Sequence, residues 1–361
     1  MNDREKKKVT KMKKKLVTML GFIGLIGAMC TQTVGCAAGK NDYIINVSYD
    51  PTREFYEQYN ELFVKHWEDV SGQSIDIIQS HGGSGKQALE VANGLEADVV
   101  TLALEQDINQ IRNAGLIEPG FVNEFPDDSS PYTSTIVFLV RKDNPKQIFD
   151  WQDLLREDVA VITPNPKTSG GARWNYLAAW YYFEKQGQSE SEILGSMKQL
   201  FEHVLVLDSG ARASTTTFVE NGQGDALLSW ENEAFLSMEE HPGEYEIVIP
   251  SVSILCQPTV AVVDEMVQKH GTTEVTEEYL NYLYSDEAQK LVAESFYRPV
   301  NETSYAAHTS EHSGRTISEL PTDGRWIASD IDLTDISHFG GWEKATEVHF
   351  KDDGYFDSIY E

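Results

Sequence analysis

The chain has 361 residues, of which 40% are hydrophobic, 24% charged and 11% aromatic; this excludes a disordered or low-complexity protein, and at roughly 150 residues per domain it allows about two domains. The formal net charge is −29 at pH 7. The first 35 residues hold eight Lys or Arg against two acids, so the other 326 carry 21 basic and 56 acidic residues, a net of −35, which argues against nucleic-acid binding.

Residues 1–15, MNDREKKKVTKMKKK, form a long basic stretch, and 16–30 are apolar apart from Thr18 and rich in glycine. That apolar run suits a signal peptide and is short for a membrane span. Small residues lead into Thr33-Val34-Gly35-Cys36, which resembles a bacterial lipobox with Thr33 where leucine is usual. The expectation is a lipoprotein signal over 1–35, with Cys36 lipidated and the protein held on the outer face of the cytoplasmic membrane. The alternative is ordinary cleavage, for instance after Ala37, releasing a free periplasmic or secreted protein. The cysteines are Cys30, Cys36 and Cys256, so beyond the anchor only Cys256 remains and no intramolecular disulfide framework is possible. Cys256 reads as a buried small apolar residue. No His/Cys cluster has zinc-ligand spacing, and neither metal nor cofactor is expected.

Residues 43–48 read as a strand, 52–71 as a helix with Phe55, Tyr59, Leu62, Phe63 and Trp67 on one face, and 74–79 as a second strand. A glycine-rich turn opens a helix to about Gly94; 97–102 is a strand and 106–115 a helix. This alternation predicts α/β with a largely parallel sheet. A proline- and acid-rich stretch, 125–131, interrupts it. Residues 135–141 are strongly β, 151–155 a short helix and 159–163 a strand. Helices follow over 172–186 and 191–204, then strands at 206–208 and 224–230, separated by a loop at 209–217. Residues 254–263 are β-rich around Pro258, which suggests an edge strand or a crossover. A helix spans 277–296; the tail from 301 is acidic and irregular, with a closing helix at 343–350. The segments 135–141 and 254–263 bracket a coherent α/β block. The expected lobes are therefore 36–133 plus 254–361, and 134–253, joined by two crossover hinge strands in a hinge-bending design.

Three glycine- and serine-rich turns each follow a strand: Ser80-His-Gly-Gly-Ser-Gly-Lys86, Thr168-Ser-Gly-Gly-Ala-Arg173 and Ser209-Gly-Ala-Arg-Ala-Ser-Thr215. A helix N-terminus offers unpaired N–H groups and about half a positive charge. Glycine admits close approach of a ligand and serine adds a hydroxyl, so such turns bind oxyanions without a cationic side chain. The first turn is not a P-loop: Ser80 stands where glycine is needed, and Gln87 where Ser or Thr is needed.

Ser48-Tyr-Asp-Pro-Thr-Arg-Glu54, Gln79-Ser-His-Gly-Gly-Ser-Gly-Lys-Gln87, Ala97-Asp-Val-Val-Thr-Leu-Ala103, Asn165-Pro-Lys-Thr-Ser-Gly-Gly-Ala-Arg173, Asp208-Ser-Gly-Ala-Arg212 and Ser229-Trp-Glu-Asn-Glu233 resemble the solute-binding proteins of bacterial sulfate/thiosulfate ABC importers. The likeness runs from about residue 43 to 300, and more loosely around Phe339-Gly-Gly-Trp342. It implies the two-lobed type II periplasmic-binding-protein fold, with an unhydrated oxyanion held between the lobes. It also implies donation from Ser84, Ser169, Gly170, Gly171, the Ala211 backbone and the Trp230 indole. Ala213 and Thr216 stand where the family has glycine and asparagine. Arg173 and Arg212 adjoin the site; pairing with carboxylates is the preferred reading over direct contact with the anion. Asp50 is expected to cap the helix that follows Pro51-Thr52 rather than to order a loop.

The function so implied is capture of sulfate by a monomeric receptor, with delivery to ABC permease subunits. Thiosulfate is the alternative ligand. Phosphate keeps a proton near neutrality and needs an acceptor, which a donor-only pocket lacks. A serine hydrolase on Ser84 or Ser169 is the competing class. Gly83-Ser84-Gly85 lacks the full nucleophile elbow, and no His/Asp partner is suggested by spacing.

Overall fold

The computed structural model describes residues 41–310 and 316–360; the expectations for the signal and for Cys36 lie outside them. The chain opens with β1 (Tyr43–Tyr49), α1 (Arg53–Ser71), β2 (Asp76–Gly82), α2 (Ser84–Ala92), β3 (Val99–Leu102) and α3 (Glu105–Asn113). Helix α1 buries Phe55, Tyr59, Phe63 and Trp67, four residues apart, together with Tyr56, and stops at Gly72, whose φ of 68° is the left-handed conformation that glycine adopts without strain. The two parallel ladders, β1 with β2 and β1 with β3, are joined by helical crossovers, as parallel pairing requires.

The chain then passes through β4 (Tyr132–Thr133) into the second lobe. There β5 (Ile136–Arg141), β6 (Val161–Pro164), α4 (Gly170–Lys185), α5 (Glu190–Glu202), β7 (Val204–Asp208), α6 (Ala211–Val219), β8 (Ala226–Trp230), α7 (Glu231–Glu240) and β9 (Tyr245–Val248) follow. It returns by β10 (Val252–Ile254) and β11 (Thr259–Val262), and leaves the first lobe again by β12 (Arg298–Pro299). The first sheet has order β11–β3–β1–β2, with β11 antiparallel to β3. The second has order Thr316–Ile317, β9, β5, β8, β6, β7.

The passages between lobes lie side by side. Ser134 N–H donates to Cys256 O (3.0 Å), and Cys256 N–H donates to Ser134 O (2.8 Å). Strand β12 pairs antiparallel with β4, a third passage beside the two expected. Cys256 is fully buried there.

The expected β segment 254–263 is divided between β10 and β11, with Pro258 in the gap, because proline has no N–H for a ladder. The expected helix 277–296 is two helices, Thr273–Tyr282 and Asp286–Glu294. Ser285 takes extended backbone between them, and its Oγ accepts the Ala288 N–H at 3.2 Å. The expectation groups the tail with the first lobe; beyond β12 it touches both, since Trp326 Nε1 donates to Ala293 O (3.1 Å) while other segments pack on the second. Thr316–Ile317 pairs with β9, Trp342 meets Trp174 and Phe350 meets Tyr176. Its large apolar side chains are buried on those surfaces.

Candidate functional site

Each of the three turns sits where a strand hands over to a helix. In the first, Gly83 is the extended residue before α2 and Ser84 is its first helical residue. The first helical bond runs from Gln87 N–H to Gly83 O (2.9 Å), so the N–H groups of 84–86 have no partner within the helix. The buried Ser84 Oγ accepts the Ala103 N–H (3.0 Å) and donates to Asp107 Oδ2 (2.5 Å). Its hydroxyl proton is thereby committed, and the donor left at Ser84 is its backbone N–H. Burial pushes the Asp107 carboxyl up, against the pull of the Arg173 charge.

The second turn is organised by Asn165. Its Oδ1 accepts the Lys167 N–H (2.8 Å), its carbonyl accepts the N–H of Thr168 (3.0 Å) and of Ser169 (2.9 Å), and its own N–H reaches Asp208 O (2.8 Å). The backbone N–H of Ser169 is therefore used inside the turn. Its buried Oγ caps α4 by accepting the Ala172 N–H (3.3 Å) and keeps a proton to donate. Gly170 and Gly171 open the helix, so their N–H groups have no partner within it.

In the third turn, Gly210 precedes α6 and Ala211 is its first residue, so a helix begins where the sequence predicts a loop. Ala-Ser-Thr-Thr-Thr is a poor helix former, and the helix rests on burial of Ser214, Thr217 and Phe218. Trp230 ends β8 at 2% exposure, and its Nε1–H has no hydrogen-bond partner among the described residues. A Cβ built on Gly171 would lie 3.0 Å from that nitrogen, so the second turn passes directly beside it.

The turns converge across the seam between the lobes. A Cβ on Gly83 would stand 3.2 Å from both Ser209 O and Thr168 O. One on Gly170 would stand 2.9 Å from Ala103 Cβ and 3.1 Å from Ser84 Cβ. Trp174 Nε1 donates across the seam to Ala103 O (3.0 Å). Outside lies a groove of about 840 Å³ lined in part by Asp50, Lys86, Asp107, Lys167 and Arg173; Ser169, Ala211 and Trp230 do not line it.

The charged neighbours are held by other groups. Arg212 Nη2 reaches both Glu54 oxygens at 2.7 Å, across the seam, and lies 3.5 Å from Glu233. Burial works against the Arg212 charge, but Glu233 and Glu54 outweigh it and hold its pKa above the usual value. Burial lifts the Glu233 pKa to about 7; Arg212 opposes this, while Glu54 and Asp50 add to it. Arg173 donates from Nε to Pro166 O (2.9 Å) and lies 5.2 Å from the centre of the Phe350 ring. Asp50 does not cap α1. Residues 50–52 take a 3-10 turn, neither it nor α1 has a side-chain N-cap, and Asp50 Oδ2 would be 2.7 Å from a Cβ on Gly210. Sequence reasoning missed Glu54 and Asp107: Glu54 lies in the segment 48–54 and Asp107 four residues beyond the segment 97–103, but only the fold reveals their partners.

A family model described as bacterial extracellular solute-binding protein matches residues 46–298. The chain is 51% identical over 322 residues to a sulfate-binding protein of Escherichia coli (strain K12), covering 89% of this chain and 93% of that one. It is 42% identical to a thiosulfate-binding protein of Pseudomonas aeruginosa, over 91% of this chain and 95% of that one. Among solved structures, the sulfate-binding protein SubI from Mycobacterium tuberculosis H37Rv aligns with TM-score 0.70 and 29% identity, covering 84% of this chain and 98% of that one. The periplasmic binding protein AfuA from Actinobacillus pleuropneumoniae, at TM-score 0.58 and 14% identity over 80% and 95% of the two chains, shares the fold. The two sheets, their side-by-side passages and these relatives agree: the chain belongs to the bacterial extracellular solute-binding proteins, in the group of sulfate- and thiosulfate-binding proteins.

Proposed function

We propose that the chain is an exported receptor that holds sulfate between its lobes and passes it to an ABC permease. The observation that carries the reading is the buried Trp230 Nε1–H without a partner among the described residues, beside a turn whose Gly170 and Gly171 amides, at the start of α4, have no partner within the helix. A buried donor left alone costs about 1–3 kcal/mol, so a fully ionised acceptor at this point is strongly favoured. The proposed ligand groups are the N–H of Ser84, the Ser169 hydroxyl, the N–H groups of Gly170, Gly171 and Ala211, and the Trp230 indole. All are donors, which suits sulfate and disfavours protonated phosphate. Thiosulfate is the second reading, favoured by the relative of that name. Asp50, Arg173 and Arg212 are proposed to order the turns rather than to touch the anion. The hydroxyls of Ser84 and Ser169 are engaged by Asp107 and by the α4 N-terminus, an arrangement suited to binding rather than to nucleophilic attack.

Calorimetric titration of the mature protein with sulfate, thiosulfate, phosphate and molybdate tests this. Sulfate should bind tightly and phosphate should not. Equal affinity for phosphate, or turnover of a generic ester, would overturn it. Cys36 is proposed as the lipid anchor of a monomer. Cys36→Ser should release the protein from membranes or block processing, and unchanged membrane association with normal processing would refute the anchor.

A further inference from the structure

We infer that Lys167 and the C-terminal segment that receives it are positioning elements for the second turn, an inference that rests on the sulfate reading above. Lys167 stands two residues before Ser169, where a lysine reads as a counter-charge for the anion. The side chain leads elsewhere. Its Nζ donates to Phe350 O (3.0 Å) and Lys351 O (3.1 Å), and pairs with Asp357, 2.7 Å from Oδ1 and 2.8 Å from Oδ2. An ammonium has three N–H donors, and these three partners take them all. Asp357 is itself held, since its Oδ2 accepts the Asp353 N–H at 2.9 Å.

The receptacle is anchored to the helix that the second turn opens. Phe350 and Phe356 pack on Tyr176 of α4, with ring centres 5.1 and 6.2 Å away, and Trp342 meets Trp174 edge-on at 4.6 Å. Arg173 lies over Phe350 while donating to Pro166 O inside the same turn. The turn is thus tied to β7 through Asn165 and to the C-terminal segment through Lys167. A second tie reduces the ordering left to be done when the anion arrives, which is how preorganisation strengthens binding.

Charge and position predict opposite signs. If electrostatics ruled, removing the Asp357 carboxylate would tighten binding of a dianion. If Lys167 acts by position, removing it frees the ammonium, loosens the turn and weakens binding. The test uses the full mature chain as wild type, Lys167→Met and Asp357→Ala. Sulfate affinity is read by calorimetry, and amide hydrogen exchange over 168–171 is followed without ligand. Both variants should bind about three- to tenfold more weakly and exchange faster over 168–171, from the entropy of one freed side chain and its loop. In the wild type, sulfate should slow exchange over 351–357, because coupling between two sites is reciprocal. Tighter or unchanged sulfate binding by Asp357→Ala, with exchange over 168–171 as in wild type, overturns the positioning role. Absence of sulfate binding by the wild type overturns the functional reading itself, and this inference with it.

Discussion

Gly170→Ala isolates closure from hydrogen bonding, because alanine keeps the backbone N–H. The added methyl would stand 2.9 Å from Ala103 Cβ, 3.0 Å from Leu104 Cγ and 3.1 Å from Ser84 Cβ, all on the opposite lobe. Favourable carbon contacts lie at about 3.5–4.0 Å, so the methyl overlaps all three. Overpacking of this kind costs about 1–3 kcal/mol. An open conformation escapes that cost, since the clashing atoms belong to the other lobe. Any backbone preference for alanine over glycine is common to both conformations and cancels from the closure equilibrium. Closure should therefore lose about 1–3 kcal/mol, and sulfate affinity should fall about 5- to 150-fold. Calorimetry gives the affinity. Solution scattering should show a smaller decrease in radius of gyration at a fixed sulfate concentration than in wild type. Affinity within twofold of wild type, with normal compaction, would refute the reasoning that the ligand is captured by bringing these surfaces together.

Trp230→Phe removes the unpaired indole N–H while keeping an aromatic ring beside Tyr49, and should weaken sulfate binding by about tenfold or more, from a charge-assisted bond of about 1.5–3 kcal/mol; titration with an unchanged dissociation constant would exclude Trp230 from the site. None of the six proposed donor groups titrates between pH 5 and 8, so sulfate affinity should change by less than about threefold over that range. A tenfold change per pH unit, measured by the same titration, would implicate Asp107 or Glu233. Glu233 has its folded pKa raised from 4.5 to about 7, so the stability it contributes is present below the lower value and lost as pH rises through the upper. Glu233→Gln, which resembles the neutral acid, should therefore raise the melting temperature at pH 8 relative to wild type and change it little at pH 5. An equal shift at both pH values would contradict the assignment.

The first sheet was readable because its strands carry β-branched runs and its helix α1 spaces Phe55, Tyr59, Phe63 and Trp67 at helical period. The first two glycine- and serine-rich turns were readable as helix entrances because Gly and Ser favour the positions that open a helix. Helix α6 was not, since the Ser-Thr-Thr-Thr run 214–217 is a poor helix former and the helix rests on burial of Thr217 and Phe218. The roles of Asp107, Glu54 and Lys167 were hidden because each is defined by a partner far along the chain, such as the 158 residues between Glu54 and Arg212. The packing of the tail was not readable, because nothing local says which surface an apolar Trp342 or Phe350 will cover.

The route of the chain also fixes the order in which its two sheets can be completed. Strands β1, β2 and β3 are made first, yet the partner on the outer side of β3 is β11, at 259–262. Five of the six strands of the other sheet lie between, from 136 to 248. A chain delivered N-terminus first thus holds an unpaired β3 edge while almost the whole of the second lobe emerges. Such an edge is open to pairing with other chains, and long-range antiparallel closure is slow. Damage to β11, which lies among none of the proposed ligand groups, would be felt in the yield of folded protein after export before it was felt in affinity for the anion.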